Sequence, residues 1–223
     1  INSELLKEVG YRYSDLPYYI LKSIIENHYN QPLDDLVQQH FYKPLGANLS
    51  TYKPLEKFNI LKLIPTEVDD YFRYDKVQGY VHDMGAAMQG GVGGHAGLFS
   101  NANDVAKLMQ LYLQKGVYGV KRYFSSSIFD LFNTCHYCHQ NNRRGIGFDK
   151  PQLEEEGPTC GCLSMQSFGH SGFTGTYTWA DPDKEIVYVF LANRTFPKSN
   201  ANMLLKKDIR TEIQRLIYAS IIE

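Results

Sequence analysis

The chain has 223 residues, enough for one ordinary domain with a sizeable core. Its 23 Lys+Arg nearly cancel its 24 Asp+Glu, leaving a net charge of −1, without the basic excess that marks a nucleic-acid binder. Hydrophobic residues at 43% and charged residues at 21% exclude a disordered chain, and no apolar run approaches the roughly 20 residues that span a bilayer.

The first residue is Ile1, and neither a basic leader nor a cleavage site follows it. The text opens as if in mid-protein, so a fragment or processed product is expected. From Asp15 to His28, Leu16, Tyr19, Ile20 and Ile24 recur at helical spacing. Ser14 or Asp15 can cap this helix, and Pro17 is tolerated in its first turn. A shorter helix from Leu33 to Phe41 stops before Lys43-Pro44-Leu45-Gly46. Residues 50–80 lack a clear period and read as a wrapping loop with short strands. The cluster Gly90-Gly91-Val92-Gly93-Gly94-His95-Ala96-Gly97 calls for tight turns or close backbone approach. Asn103 or Asp104 caps a helix to about Gln114, closed by Gly116, and Phe124 to Phe132 forms another.

The C-terminal third changes character. Ser167–Ser171, Thr174–Ala180 and Glu185–Ala192 read as strands, with Asp181-Pro182-Asp183-Lys184 turning the last two into a hairpin. A final helix from Met203 to Ile222 carries a stripe of Ile209, Ile213, Leu216, Ile217 and Ile221 that predicts a buried face. Helices, then hairpin strands, then a helix indicate an α+β layer fold, with an antiparallel sheet flanked by helices and a helical and loop subdomain.

Cys135, Cys138, Cys160 and Cys162 form C-x2-C and C-x-C pairs, with His136 and His139 beside the first. Three states stay open: disulfides in an oxidising compartment, a structural metal on four thiolates, or free thiols. The C-x-C pair is tighter than a usual zinc knuckle.

Three patches carry chemistry. The first is Tyr13-Ser14-Asp15-Leu16 at a helix start. The second is Val81-His82-Asp83, followed by Gly94-His95-Ala96-Gly97-Leu98-Phe99-Ser100. The third is Phe168-Gly169-His170-Ser171-Gly172-Phe173-Thr174-Gly175-Thr176, followed by Trp179-Ala180-Asp181-Pro182 and Leu191-Ala192-Asn193-Arg194. In this order they resemble the serine β-lactamase and penicillin-binding-protein superfamily, on its class C and esterase-like branch. The closest resemblance is to the β-lactamase-like domain that some envelope proteins carry behind a glycoside hydrolase domain.

That resemblance implies acyl transfer. A serine of an S-x-x-K motif attacks a carbonyl, a tyrosine relays protons, and a K-T-G or H-x-G strand binds substrate beside an oxyanion-stabilising amide. It makes Tyr13 the relay tyrosine and His170 the switchable charge of the H-x-G strand. Asp15, Ser171, Gly172 and Phe173 become substrate-binding positions, with the Phe173 amide as oxyanion donor. Asp15 stands where the family more often has Asn, and a carboxylate accepts hydrogen bonds but donates none. The only S-x-x-K is Ser50-Thr51-Tyr52-Lys53, which lies downstream of Tyr13 with Pro54 behind it. It reads as a chance match, so the serine and lysine are expected upstream of Ile1. Residues 1–223 then form a single β-lactamase-like domain truncated at its N-terminus.

For the other residues packing roles lead. His95 would buttress its loop, His82 and Asp83 pack in theirs rather than pair as base and orienter, and Arg143-Arg144 is either a solvated pair or an anion contact. Two function classes follow. One is a serine hydrolase acting on β-lactams, D-amino peptides or esters, inactive without its nucleophile. The other is a non-catalytic module binding peptidoglycan-like ligands. A metal hydrolase on the Cys/His cluster is the third. No cofactor is expected, nor a nucleic-acid partner, nor a membrane span. The resemblance implies an exported, periplasmic or envelope protein, and an open sheet edge would favour self-association.

Overall fold

The computed structural model describes residues 10–154, 157–200 and 202–221. Helix α1 (Leu16–Tyr29) begins with Asp15 at the N-cap, where the Ser14 hydroxyl accepts from the Leu16 amide at 3.2 Å. Asn30 closes it in the left-handed conformation, φ 47°. Then α2 (Leu33–Val37) runs into a π-helical turn over Gln38–Tyr42, ending just before Lys43-Pro44 as the sequence predicts.

The stretch read as a wrapping loop holds two 3-10 turns and a hairpin of β1 (Pro65–Asp69) and β2 (Asp75–Gln78). The buried Asp69 carboxylate builds the hairpin turn by accepting from the amides of Tyr71, Phe72 and Arg73. Burial by itself would raise its pKa, but these amides and the Arg73 guanidinium bring it down to about 2. Helix α3 (Met84–Met88), which sequence reasoning missed, is capped by the Asp83 side chain. Helix α4 (Ala102–Leu113) is capped by Asn101, two residues before the predicted position. A two-residue hairpin, β3 (Val117–Tyr118) and β4 (Lys121–Arg122), precedes α5 (Ser126–Asn133), capped by Ser125.

The main sheet is antiparallel in the order β5 (Phe168–Ser171), β6 (Tyr177–Asp181), β7 (Ile186–Phe190). Alternation along the strands gives it two buried faces. On one, Phe168 and Ala180 pack with Met109 of α4 and Phe129 of α5. On the other, Tyr177, Trp179 and Tyr188 pack with Ile217. The C-terminal helix is broken rather than continuous: α6 (Met203–Lys206) and α7 (Ile209–Ala219) meet at Asp208, φ 48°. The architecture is therefore helices, sheet, helix, an α+β layer fold of the expected class.

Among the described residues the α7 stripe is only partly covered, and the apolar face of α1 is exposed. Helix α1 is present, yet Leu16, Ile20 and Ile24 are exposed and no residue of the helix is buried. On α7, Leu216 is exposed, Ile209 and Ile213 lie at the boundary of exposure, and the buried residue is Gln214. Its amide oxygen accepts from the Tyr177 hydroxyl at 3.0 Å and the Cys160 amide at 3.1 Å, which ties α7 to the sheet through this side chain. Ile222, at the end of the predicted helix, lies outside the described residues, as does Ile1. Among the described residues no helix is long and apolar enough to cross a membrane.

Candidate active site

The third patch becomes β5 and the turn that follows. Gly169 exchanges backbone hydrogen bonds with Asp149 on the outer edge of β5, at 2.8 and 3.0 Å. Gly172 faces the other way, its amide donating to Thr176 at 2.8 Å. Alternation therefore directs the backbone of Ser171, and of Phe173 after it, to the outer edge beyond Asp149. The Phe173 amide makes no hydrogen bond among the described residues. A Cβ at position 172 would lie 2.2 Å from the Thr176 hydroxyl, so a larger residue there would force that side chain to rotate away.

The first patch arrives at this edge from α1. The rings of Tyr13 and His170 lie 6.4 Å apart between centroids. Arg144 joins them: its guanidinium stands 4.8 Å over the Tyr13 ring, and its Nη1 donates to His170 Nε2 at 2.9 Å. The second ring nitrogen of His170 is 2.8 Å from the Ser171 carbonyl oxygen. Desolvation raises the Tyr13 phenol, and the Arg144 charge pulls it partly back. Asp15, Tyr18 and Tyr11 add to the upward push.

Arg144 reaches this position from the loop after α5. The Ile146 amide donates to Phe132 at 2.8 Å and the Gly145 amide to Phe148 at 3.1 Å. A Cβ on Gly145 would lie 2.4 Å from the Phe132 carbonyl oxygen, so only glycine lets the loop pass so close to the end of α5. Sequence reasoning left Arg143-Arg144 undecided. Two adjacent arginines before a glycine signal a tight, charged turn, but not which strand the second one faces.

The second patch packs around both. His82 bonds Glu67 at 2.7 Å and stacks on the Phe173 ring at 5.4 Å, while Arg194 lies 4.5 Å over the other partner of that contact, the same ring. Asp83 bonds His95 at 2.8 Å instead of His82, and His95 rests against Tyr19 with centroids 4.8 Å apart. Asp15 sits beside Tyr13 in sequence, but its carboxylate belongs to this neighbouring cluster. Ligand atoms of Asp15, Asp83 and His95 lie within 4.8 Å of one another, a set that could hold a cation. Hydrogen bonding already satisfies Asp83 and the bonded nitrogen of His95.

Ser50 and Lys53 diverge. Ser50 is fully buried with its hydroxyl 2.7 Å from that of Ser100, whereas Lys53 pairs with Asp34 at 2.7 Å. The cysteines form two local disulfides, Cys135–Cys138 and Cys160–Cys162, so none of the four is free to ligate a metal in this structure.

The chain is a mixed helix and antiparallel-sheet domain in which Tyr13 and the strand His170-Ser171-Gly172 meet at one sheet edge. The family model described as Beta-lactamase matches residues 7–209, and the chain belongs to that family. Among curated relatives, the Escherichia coli K12 protein named "Putative D-alanyl-D-alanine carboxypeptidase" is 36% identical over 209 residues, covering 86% of this chain and 48% of its own. A Salmonella typhi protein of the same name is 36% identical over 211 residues, with the same coverage. The chain thus spans about half the length of the curated relatives it matches.

Solved structures agree in fold. A β-lactamase from Mycobacterium bovis superposes with a TM-score of 0.61 at 16% identity, over 93% of this chain and 63% of that one. Simvastatin synthase from Aspergillus terreus does so at 0.61 and 15%, over 91% and 54%. A penicillin-binding-protein homologue from Caulobacter crescentus reaches 0.56 at 17%, over 82% and 52%.

Proposed function

We propose that this β-lactamase-like chain supplies the proton-relay and substrate-strand portion of a serine acyl-transfer hydrolase. Its substrates are carbonyl compounds of the D-amino peptide, β-lactam or ester class. Tyr13 relays the proton, the edge of β5 from His170 to Gly172 carries the substrate, and the Phe173 amide donates to the oxyanion. Asp15 borders the acyl side. The convergence of Tyr13 and His170 at the open end of β5 carries this reading. Among the described residues Ser50 and Lys53 point to different partners and do not form an attacking pair at this edge, and the reading assigns the nucleophilic serine and lysine to an S-x-x-K upstream of Tyr13. Residues 1–223 are then the later portion of one domain.

A fluorescent penicillin tests this. The isolated chain should form no covalent adduct, and labelling at Ser50 would overturn the assignment. In a longer protein carrying the upstream S-x-x-K, Tyr13→Phe should slow acylation about 10²-fold or more, the range of general acid–base catalysis. The replacement of Asn by Asp15, and its place beside Asp83 and His95, favours a second reading: a non-catalytic module that binds peptidoglycan-like ligands. Full-strength ligand binding without acylation in the longer protein would select it.

The two disulfides and the carboxypeptidase-named relatives support an exported or cell-envelope location. Recovery of the protein only in the cytoplasmic fraction would overturn this. The exposed face of α1 and the outer edge of β7 support self-association. Light scattering should report a dimer or larger species, and a clean monomer refutes it.

A further inference from the structure

We propose that the cavity between the end of α5 and the segment leading into β5 is a binding site for a small aromatic carboxylate, with Lys150 and Arg143 as its anchors. Neither Tyr13 nor His170 lines this cavity, so the inference stands apart from the acyl-transfer reading.

The first argument is an ammonium held in place without a counter-ion. Lys150 is 4% exposed. Its Nζ donates to Asn133 Oδ1 at 2.8 Å and to the Gln166 carbonyl at 3.2 Å. Asn133 Nδ2 donates to the same carbonyl at 2.9 Å, which fixes the acceptors around the head. Both acceptors are neutral, and an ammonium has three hydrogens to donate. Among the described residues the third has no acceptor, and Nζ pairs with no carboxylate. Asp181 favours the charge only from a distance, its carboxylate accepting from the Ser164 and Tyr218 hydroxyls at 2.6 and 2.8 Å. Desolvation therefore dominates and brings the Lys150 pKa down to about 8. A bound anion supplies the missing counter-charge where the surroundings screen it least.

The second argument is what else faces the cavity, whose volume is about 450 Å³. Arg143 lines it together with Lys150. Arg143 Nε donates to the Lys150 carbonyl at 3.1 Å and Nη2 to Asp149 at 3.0 Å, while Nη1 has no partner among the described residues. Asp130, the acidic residue of the lining, is already paired with Lys115 at 2.9 Å. Two cations with hydrogens to spare suit a carboxylate, whose two oxygens can accept from both. Leu153, Met165 and the Cys135–Cys138 disulfide also line the cavity. Leu153 and Met165 are both exposed, so they offer apolar surface to a ligand entering from solvent. A methionine sulfur packs favourably against an aromatic ring, which selects an aromatic body for the ligand.

The test uses the chain as it exists and needs no acylation. Benzoate, benzamide and inorganic phosphate are titrated by NMR at pH 7. Benzoate should bind about tenfold or more tightly than either, the scale of a charge-assisted hydrogen bond, with shift changes centred on Asn133, Lys150 and Gln166. Lys150→Met should weaken benzoate binding about tenfold, and Arg143→Lys should weaken it less than Arg143→Gln. In the wild type the affinity should fall about tenfold or more from pH 7 to pH 10, because the ammonium is lost across that range. The other charged groups facing Lys150 are Asp130 of α5, Arg143 and Asp149 beside it, and Asp181 of β6. Carboxylates and guanidiniums ordinarily keep their charge over that range. This readout needs no variant, so it decides the outcome even if Lys150→Met fails to fold. An affinity unchanged between pH 7 and pH 10 overturns the proposal. So does equal binding of benzamide or phosphate, failure of benzoate to bind, or shift changes centred on Tyr13 and His170.

Discussion

Trp179 is 1% exposed and Phe168 fully buried in the sheet, whereas Ile24 of α1 is 56% exposed and the helix buries no residue. Each region brings one residue of the proposed site, His170 from β5 and Tyr13 from the segment just before α1. The sheet is held by two apolar faces. Helix α1 is held by isolated contacts: Tyr19 against His95, Glu26 accepting from the Leu33 amide at 2.9 Å, and Arg144 over Tyr13. Regions with few buried apolar contacts open at low free-energy cost. The proposed site therefore joins a well-packed strand to a less tightly held tyrosine, and Arg144 contacts both.

The strongest way to sharpen this contrast is Trp179→Ala. Emptying that position should cost about 3–5 kcal/mol, read as a large drop in the urea midpoint. An unchanged midpoint would mean that the sheet is not the stability centre.

Lys150 gives a pH-dependent probe of the same half. It is buried and donates to Asn133 at 2.8 Å, and desolvation brings its pKa down to about 8 despite the opposing pull of Asp181. Its folded value lies below its unfolded value of roughly 10.4. The unfolded chain binds the proton more tightly in that window, so stability should rise from pH 8 to 9.5, by about 2 kcal/mol. Lys150→Met should flatten the rise.

Tyr19→Ala removes the ring contact with His95 and should cost about 1 kcal/mol, felt locally. Hydrogen exchange should quicken in α1 and leave β6 unchanged; equal quickening in both would merge the two regions into one cooperative unit. The smallest effect belongs to Ile24→Ser on the exposed face, within about 0.5 kcal/mol by thermal unfolding. A loss as large as that of Trp179→Ala would show that α1 buries this face in solution.

How much was legible beforehand differs by the range of the interaction. The β6–β7 hairpin was readable because Asp181-Pro182-Asp183-Lys184 is a local turn signal between β-rich runs. The α1 helix was readable from its period. The kink at Asp208 was not, since no Gly or Pro marks it. The H-x-G strand and Tyr13 were legible as motifs, whereas Arg144 was not, because its partner lies 26 residues away on another element.

By itself the sequence determined the longer helices, the β6–β7 hairpin, the order of the three patches and the family they resemble, since period, turn chemistry and motif spacing are local properties. Only the tertiary structure decided which apolar stripes are buried, that His82 pairs with Glu67 and Asp83 with His95, and that Arg144 stands between Tyr13 and His170. Those outcomes depend on which elements pack together and in what register, and a hydrogen bond across the fold leaves no period in the chain.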